Sequence, residues 1–148
     1  MNKVKSLFTA FFSTLTGLLG ILAIPVYSLV ILNVIDYATG LAASPYRGQK
    51  IDSYKSFRGI LKKVCMWLLV VIGAMIDWLI SYASNASGIH IPFKFLISCI
   101  VAIWLIASEI ISILENMVDI GVSMPPFLLP LVKNIKKQVE DKATIKEG

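Results

Sequence analysis

Residues 64–80 read VCMWLLVVIGAMIDWLI, with Asp77 as the one charge. Extended to residue 84, the run has about the 20 apolar residues needed to cross about 30 Å of hydrocarbon. Two more stretches have the same character. One covers residues 21–43. The other covers 93–114 and reads FKFLISCIVAIWLIASEIISIL. The sequence therefore predicts an all-α integral membrane protein with three transmembrane helices. The 148-residue composition agrees, with 57% hydrophobic and 16% charged residues. A soluble domain carries about a quarter of its residues as charges, so a soluble enzyme and a disordered chain are both excluded.

The N-terminal side leaves the number of crossings open. Ser6, Thr9, Ser13, Thr16 and Gly20 recur at steps of three and four, with Phe8, Phe11, Phe12 and Leu15 between them. This pattern predicts an amphipathic helix over residues 6–20, of the kind that lies in a membrane interface. The alternative is four transmembrane helices, with a turn at residues 23–25. The apolar run is too long for a cleaved signal peptide, so it is expected to be retained.

Lysine and arginine placement sets the expected orientation. The connector 44–63 holds Arg47, Lys50, Lys55, Arg58, Lys62 and Lys63 against Asp52. The connector 85–92 has neither Lys nor Arg. The tail 115–148 holds Lys133, Lys136, Lys137, Lys142 and Lys146. The basic connector and the tail are expected on the cytoplasmic side of a bacterial inner membrane. Pro125 and Pro126 are expected to break the helix leaving the third span. Beyond them, Phe127, Leu128, Leu131, Val132, Ile135 and Val139 predict a second amphipathic helix, lying on the anionic leaflet surface or solvated. Membrane topology explains the net charge of +5, and no nucleic-acid partner is expected.

Three acids lie at membrane depth: Asp36, Asp77 and Glu109. Each costs about 2.5–3.5 kcal/mol near the centre of a span. At 1.5 Å per residue, Asp36 and Glu109 lie roughly 12 and 8 Å from the cytoplasmic end. Asp77 lies about 10 Å from the external end. No Lys or Arg shares these depths, so no intramembrane ion pair is expected unless Lys62 or Arg58 reaches Asp36. Each acid shares a helical face with small or polar residues. The first span groups Asn33, Asp36, Tyr37, Gly40 and Ser44. The second groups Gly73, Asp77, Ser81 and Ser84. The third groups Ser98, Ala102, Glu109 and Ser112. Such faces either pack together within one subunit or line a water-filled opening between subunits.

Cys65 and Cys99 are expected to be buried free thiols. No cofactor or metal site is expected: the cysteines lack ligand spacing and His90 is the single histidine. No nucleophile–base pair, phosphate loop or dinucleotide motif is present, so an enzyme is not expected.

Residues 35–64, IDYATGLAASPYRGQKIDSYKSFRGILKKV, resemble the toxin-secretion/phage-lysis holin family of Gram-positive phages and prophages. The matching elements are Asp36-Tyr37-x-Thr39-Gly40, Ala43, a short basic connector, and Gly59-Ile60-x-Lys62-Lys63. Asp77 fits as well, as do Glu109-x-x-Ser112-Ile113-x-Glu115-Asn116 and Gly121. The resemblance covers roughly residues 26–132 and implies a holin. Such a protein forms a homo-oligomer in the lipid bilayer and opens pores that release an endolysin, or a toxin in clostridial loci. No direct contact with that cargo is required. The resemblance brings no catalytic residues. Two other functions fit the spans: a small ion channel or transporter, and an antiholin that restrains another holin. No inverted repeat of the transporter type is present. No second Met precedes Met66 to start a short form.

Overall fold

The computed structural model describes residues 2–144. Lys146, one of the tail cations, lies outside them. All regular structure among the described residues is helical: α1 (Lys3–Leu19), α2 (Ala23–Ala43), α3 (Ser53–Ser87), α4 (Leu96–Ile120) and α5 (Leu128–Ala143). A single 3-10 turn, Gly20–Leu22, joins α1 to α2. Three helical stretches are long and apolar enough to cross a bilayer: Lys3–Ala43, Ser53–Ser87 and Leu96–Ile120.

The chain bends between α1 and α2. Eleven residues on a straight helix climb about 16 Å, yet Thr16 Oγ1 and Tyr27 OH lie 2.7 Å apart. The Phe12 and Tyr27 ring centroids are 6.1 Å apart. The break falls at Gly20, whose φ of +53° favours glycine. It does not fall at residues 23–25, the turn expected for four crossings. Pro25 instead sits in the first turn of α2, where its missing N–H costs nothing. No residue of α1 is buried. Its apolar faces are left to lipid or to neighbours, as an amphipathic segment requires.

Glycines also end α3 and α4. Gly88 and Gly121 adopt φ of +69° and +94°. In each case the next residue donates back five positions, Ile89 to Ser84 and Val122 to Met117, closing a Schellman cap. Gly121 therefore ends α4 before Pro125 is reached, and the expected proline break is corrected. At its other end, α3 begins early because the Asp52 carboxylate accepts the Lys55 N–H at 2.6 Å. Lys55, Arg58, Lys62 and Lys63 are thus the helical foot of α3. Its 35 residues extend about 52 Å, well beyond the hydrocarbon thickness. α4 begins at Leu96, so Lys94 stands ahead of the helix in the connector.

α4 is the central element and touches α2, α3 and α5. Leu22, Leu29, Val70, Ala102 and Leu105 form the core of the three long helices. α5 turns back along α4. Its buried Val132 packs with Ala107 and Leu114, and Leu128 and Leu129 add to that cluster. Trp104 Nε1 donates to Glu140 at 2.7 Å, and Lys136 Nζ lies 4.5 Å from the Trp104 ring centroid. The expected amphipathic tail helix therefore exists, but its apolar stripe finds α4 rather than standing free. Cys65 is exposed on the outer face of α3 and Cys99 is half-buried. This corrects the expected burial of Cys65, because α3 turns a different stripe to the core.

Candidate functional site

The expected absence of an intramembrane ion pair is overturned. Lys63 Nζ lies 2.7 Å from Asp36 Oδ2 and also bonds Glu109 Oε2. The cation is neither Lys62 nor Arg58. Because the foot of α3 is helical, Lys63 stands on the same stripe as Val70 and Asp77, at steps of seven. That stripe faces α2 and α4. The Glu109 side chain is 3% exposed, and those of Lys63 and Asp36 are each 16% exposed. One ammonium thus ties together acids from both neighbouring helices.

Amides complete the knot. The Asn116 Nδ2 donates to Asp36 Oδ1 at 3.3 Å and Thr39 Oγ1 at 3.1 Å. The Asn33 amide, oriented to match donors with acceptors, donates to Glu109 Oε2 at 3.0 Å and accepts from Trp67 Nε1 at 3.1 Å. Arg47 closes the end nearest the connector between α2 and α3: its Nη2 donates to Asn116 Oδ1 at 2.6 Å and its Nε to Asp119 Oδ2 at 2.5 Å. Among the described residues, no buried side-chain nitrogen or oxygen lacks a partner. Full satisfaction is what makes buried charge tolerable, since an unpaired ion at this depth carries a heavy desolvation cost.

A cavity of about 240 Å³ opens beside the knot, with Tyr37, Gly40, Gly59, Lys62 and Ser112 in its wall. Gly40 faces Asn116 of α4, and a Cβ there would make ordinary contact with Asn116 Nδ2 at 3.7 Å. The Ser44 hydroxyl returns to the Gly40 carbonyl at 2.9 Å. Arg47 and Lys55 reach the cavity mouth from the connector side.

Asp77 belongs to a second, separate contact. Its carboxylate accepts the N–H groups of Ile97 and Ser98, both at 2.8 Å, and the Ser98 hydroxyl at 2.7 Å. It therefore caps α4, whose own N-cap residue, Phe95, offers no side-chain acceptor. Gly73 makes the approach possible: a Cβ there would sit 2.9 Å from the Ser98 Cα. That neighbour is backbone and has little freedom to move. Gly73→Ala is expected to destabilise the α3–α4 contact by about 1–3 kcal/mol, the usual range for overpacking. Thermal unfolding of the solubilised protein measures it.

The sequence sets Asn33 and Asp36 on one face of the first span and Glu109 on a face of the third at comparable depth, and the structure brings the three together. The sequence sets Asp77 on a separate level, and Gly73 joins it there. Ser81, half-buried, joins neither group. Lys63, Asn116, Thr39 and Trp67 were missed as members of the knot. The signal for Asn116 was available: Ala102, Glu109 and Asn116 recur at steps of seven, and all three are buried.

The arrangement is a bundle of membrane-spanning helices, locked at one level by an ion-paired knot and at another by a helix cap. Residues 13–137 match the model of the bacteriophage holin family. This chain belongs to that family and is a multi-pass membrane protein; the family is not one of enzymes. An uncharacterized protein of Listeria monocytogenes is 38% identical over 125 residues, 84% of this chain and 79% of that protein. An uncharacterized Clostridium perfringens protein is 28% identical over 131 residues, 88% of this chain and 86% of its own length. An uncharacterized 14.9 kDa protein in the nagH 3′ region of Clostridium perfringens is 25% identical over 138 residues, covering 93% and 96% of the two chains. No solved structure matches.

Proposed function

We propose that this protein is a holin that oligomerises in the bacterial cytoplasmic membrane. The lesions it opens release a cell-wall hydrolase, or a toxin, without direct contact with that cargo. The observation that carries this reading is the closure of the subunit. The acid-bearing faces of α2, α3 and α4 are turned inward and satisfied, while Leu68, Val71, Ile72, Met75 and Leu79 of α3 are exposed. A lone copy offers water no path, and three helices cannot encircle a protein-sized hole. Any large opening must form between many copies, and such an apolar exterior suits lipid or a second copy.

In this reading the knot holds the subunit shut while copies are scarce. Asn33, Asp36, Tyr37, Gly40, Ser44, Glu109 and Ser112 then exchange partners or meet water as copies gather. Gly73, Asp77 and Ser81 do so at the outer level. Arg47, Lys50, Lys55, Arg58, Lys62 and Lys63 belong to the cytoplasmic side in the closed subunit, and so do Lys133, Lys136 and Lys137 when α5 is not docked on α4.

Inducible expression in a bacterial host tests the function. Dye entry and loss of membrane potential are expected above a threshold abundance. Intact, energised cells at high expression would refute it, and selective flux of small ions alone would favour a channel. Asp36→Asn, which keeps a polar partner for Lys63 and Asn116, is expected to shift the time of lysis. Asp36→Leu is expected to disturb assembly more severely. Unchanged timing in both would remove Asp36 from the mechanism.

A further inference from the structure

α5 lies where lipid alone cannot accommodate it. Trp104 stands about 12 Å in from the outer end of α4, whose 25 residues extend about 37 Å. Glu140 is bonded to Trp104 at that depth. Ala143 shares a groove with Ile100 and Leu69, closer still to the outer end. α5 therefore runs back through the level of the hydrocarbon. Lys133 pairs with Glu115 of α4 at 3.3 Å, but on the side turned away from α4, Asn134, Lys137, Gln138, Asp141 and Lys142 are exposed. An intact bilayer offers that face neither water nor counter-charge.

The face of α4 beneath α5 has the opposite character. Ala107, Ile110, Ile111 and Leu114 are as apolar as lipid. Two arrangements are consequently stable. In an intact bilayer, α4 turns this face to lipid and α5 stays at the polar surface. Where water fills the membrane beside α4, α5 docks by its apolar stripe and gives its charged face to that water. The segment between them, with Gly121 at φ +94° and Pro125–Pro126, has the sharp backbone turn that reversal requires.

We infer that α5 is a wall element of the lesion: it docks along α4 once assembled copies enclose water, and lines the lumen with Lys137 and Lys142. The inference rests on the holin reading and deepens it. It supplies a polar wall whether or not the knot between α2, α3 and α4 opens.

Disulfide trapping tests it in the full chain carrying Cys65→Ser and Cys99→Ser. Ala107→Cys with Val132→Cys forms one pair, and Leu114→Cys with Leu128→Cys forms a second in case the first disturbs folding. Each is reconstituted at rising density into vesicles of phosphatidylethanolamine and phosphatidylglycerol holding labelled dextran. Cross-link yield is expected to rise severalfold over the density range in which dextran escapes. Vesicles oxidised while leaky are expected to stay leaky. Equal cross-linking in sparse, tight vesicles would overturn the inference, because docking would then belong to the closed subunit. Tightening on oxidation would overturn it too, making α5 a cover. Release without cross-linking of either pair refutes α5 alone. No dextran release by the wild-type chain at any density refutes the holin reading, and this inference with it.

Discussion

Lys63→Met is expected to destabilise the subunit by about 3–5 kcal/mol, the range for removing one partner from a buried ion pair. The substitution keeps the apolar stem and deletes the ammonium between Asp36 Oδ2 and Glu109 Oε2. Two carboxylates then face one another with only the amides of Asn33 and Asn116 to solvate them. Neither acid has an alternative cation among its observed partners, since Arg47 is bonded to Asn116 and Asp119. Thermal unfolding of the solubilised protein, read from Trp fluorescence, measures the loss. Trp67 is well placed to report it because its Nε1 contacts Asn33.

The control for this result is a neutral knot. Lys63→Met with Asp36→Asn and Glu109→Gln removes all three charges while keeping similar volumes. Buried ion pairs replaced as a unit are often nearly neutral in stability, so the triple variant is expected to regain most of the loss. Under the proposed holin function, Lys63→Met is expected to bring lysis forward in cells, as the closed subunit is the state weakened. Wild-type stability in the single variant would mean that the pairing contributes nothing to closure.

The spans were legible because lipid imposes a length and a composition that few other environments demand. The polar face of each acid is legible because its neighbours recur at helical steps, Asn33, Asp36 and Gly40 on α2, and Ala102 and Glu109 on α4, but which faces meet is not. Lys63 was not legible, because the second span was begun at Val64 and the cations before it were read as surface anchors. Had Asp77 and Val70 been followed back by another seven residues, the same stripe would have reached Lys63. The Asp52 cap, which makes that stretch helical, was present in the sequence as an acid just ahead of Ser53. The end of α4 differs for a related reason: the sequence reading gives priority to Pro125 and Pro126 as breakers, while Gly121 supplies the positive φ that closes the helix. The path of α5 could not be read from its own periodicity. An apolar stripe specifies that something must cover it, but it does not say whether that is lipid headgroups or α4.

Asp77→Ala is expected to cost about 2–3 kcal/mol at the end of the bundle where α4 begins. Hydrogen bonds to a charged group contribute about 1.5–3 kcal/mol each when their loss leaves donors unsatisfied, and here two backbone N–H groups and one hydroxyl lose their acceptor. Water entering the vacated space offsets part of the sum. The carboxylate also lies at the positive end of the α4 dipole, which favours a negative charge there. Asp77→Asn keeps one acceptor oxygen but not the charge, so an intermediate loss is expected. Amide exchange should locate the effect: Ile97 and Ser98 are expected to lose protection, while Glu109 and its neighbours keep theirs. Unchanged exchange at Ile97 and Ser98 would show that α4 caps itself. Gly73→Ala acts on the same contact by pushing against Ser98. Once Asp77→Ala has freed that end of α4, the added methyl meets a backbone that can retreat. The two losses should therefore sum to less than additivity predicts. Lys63→Met, at the far level of the bundle, should add to either one in full.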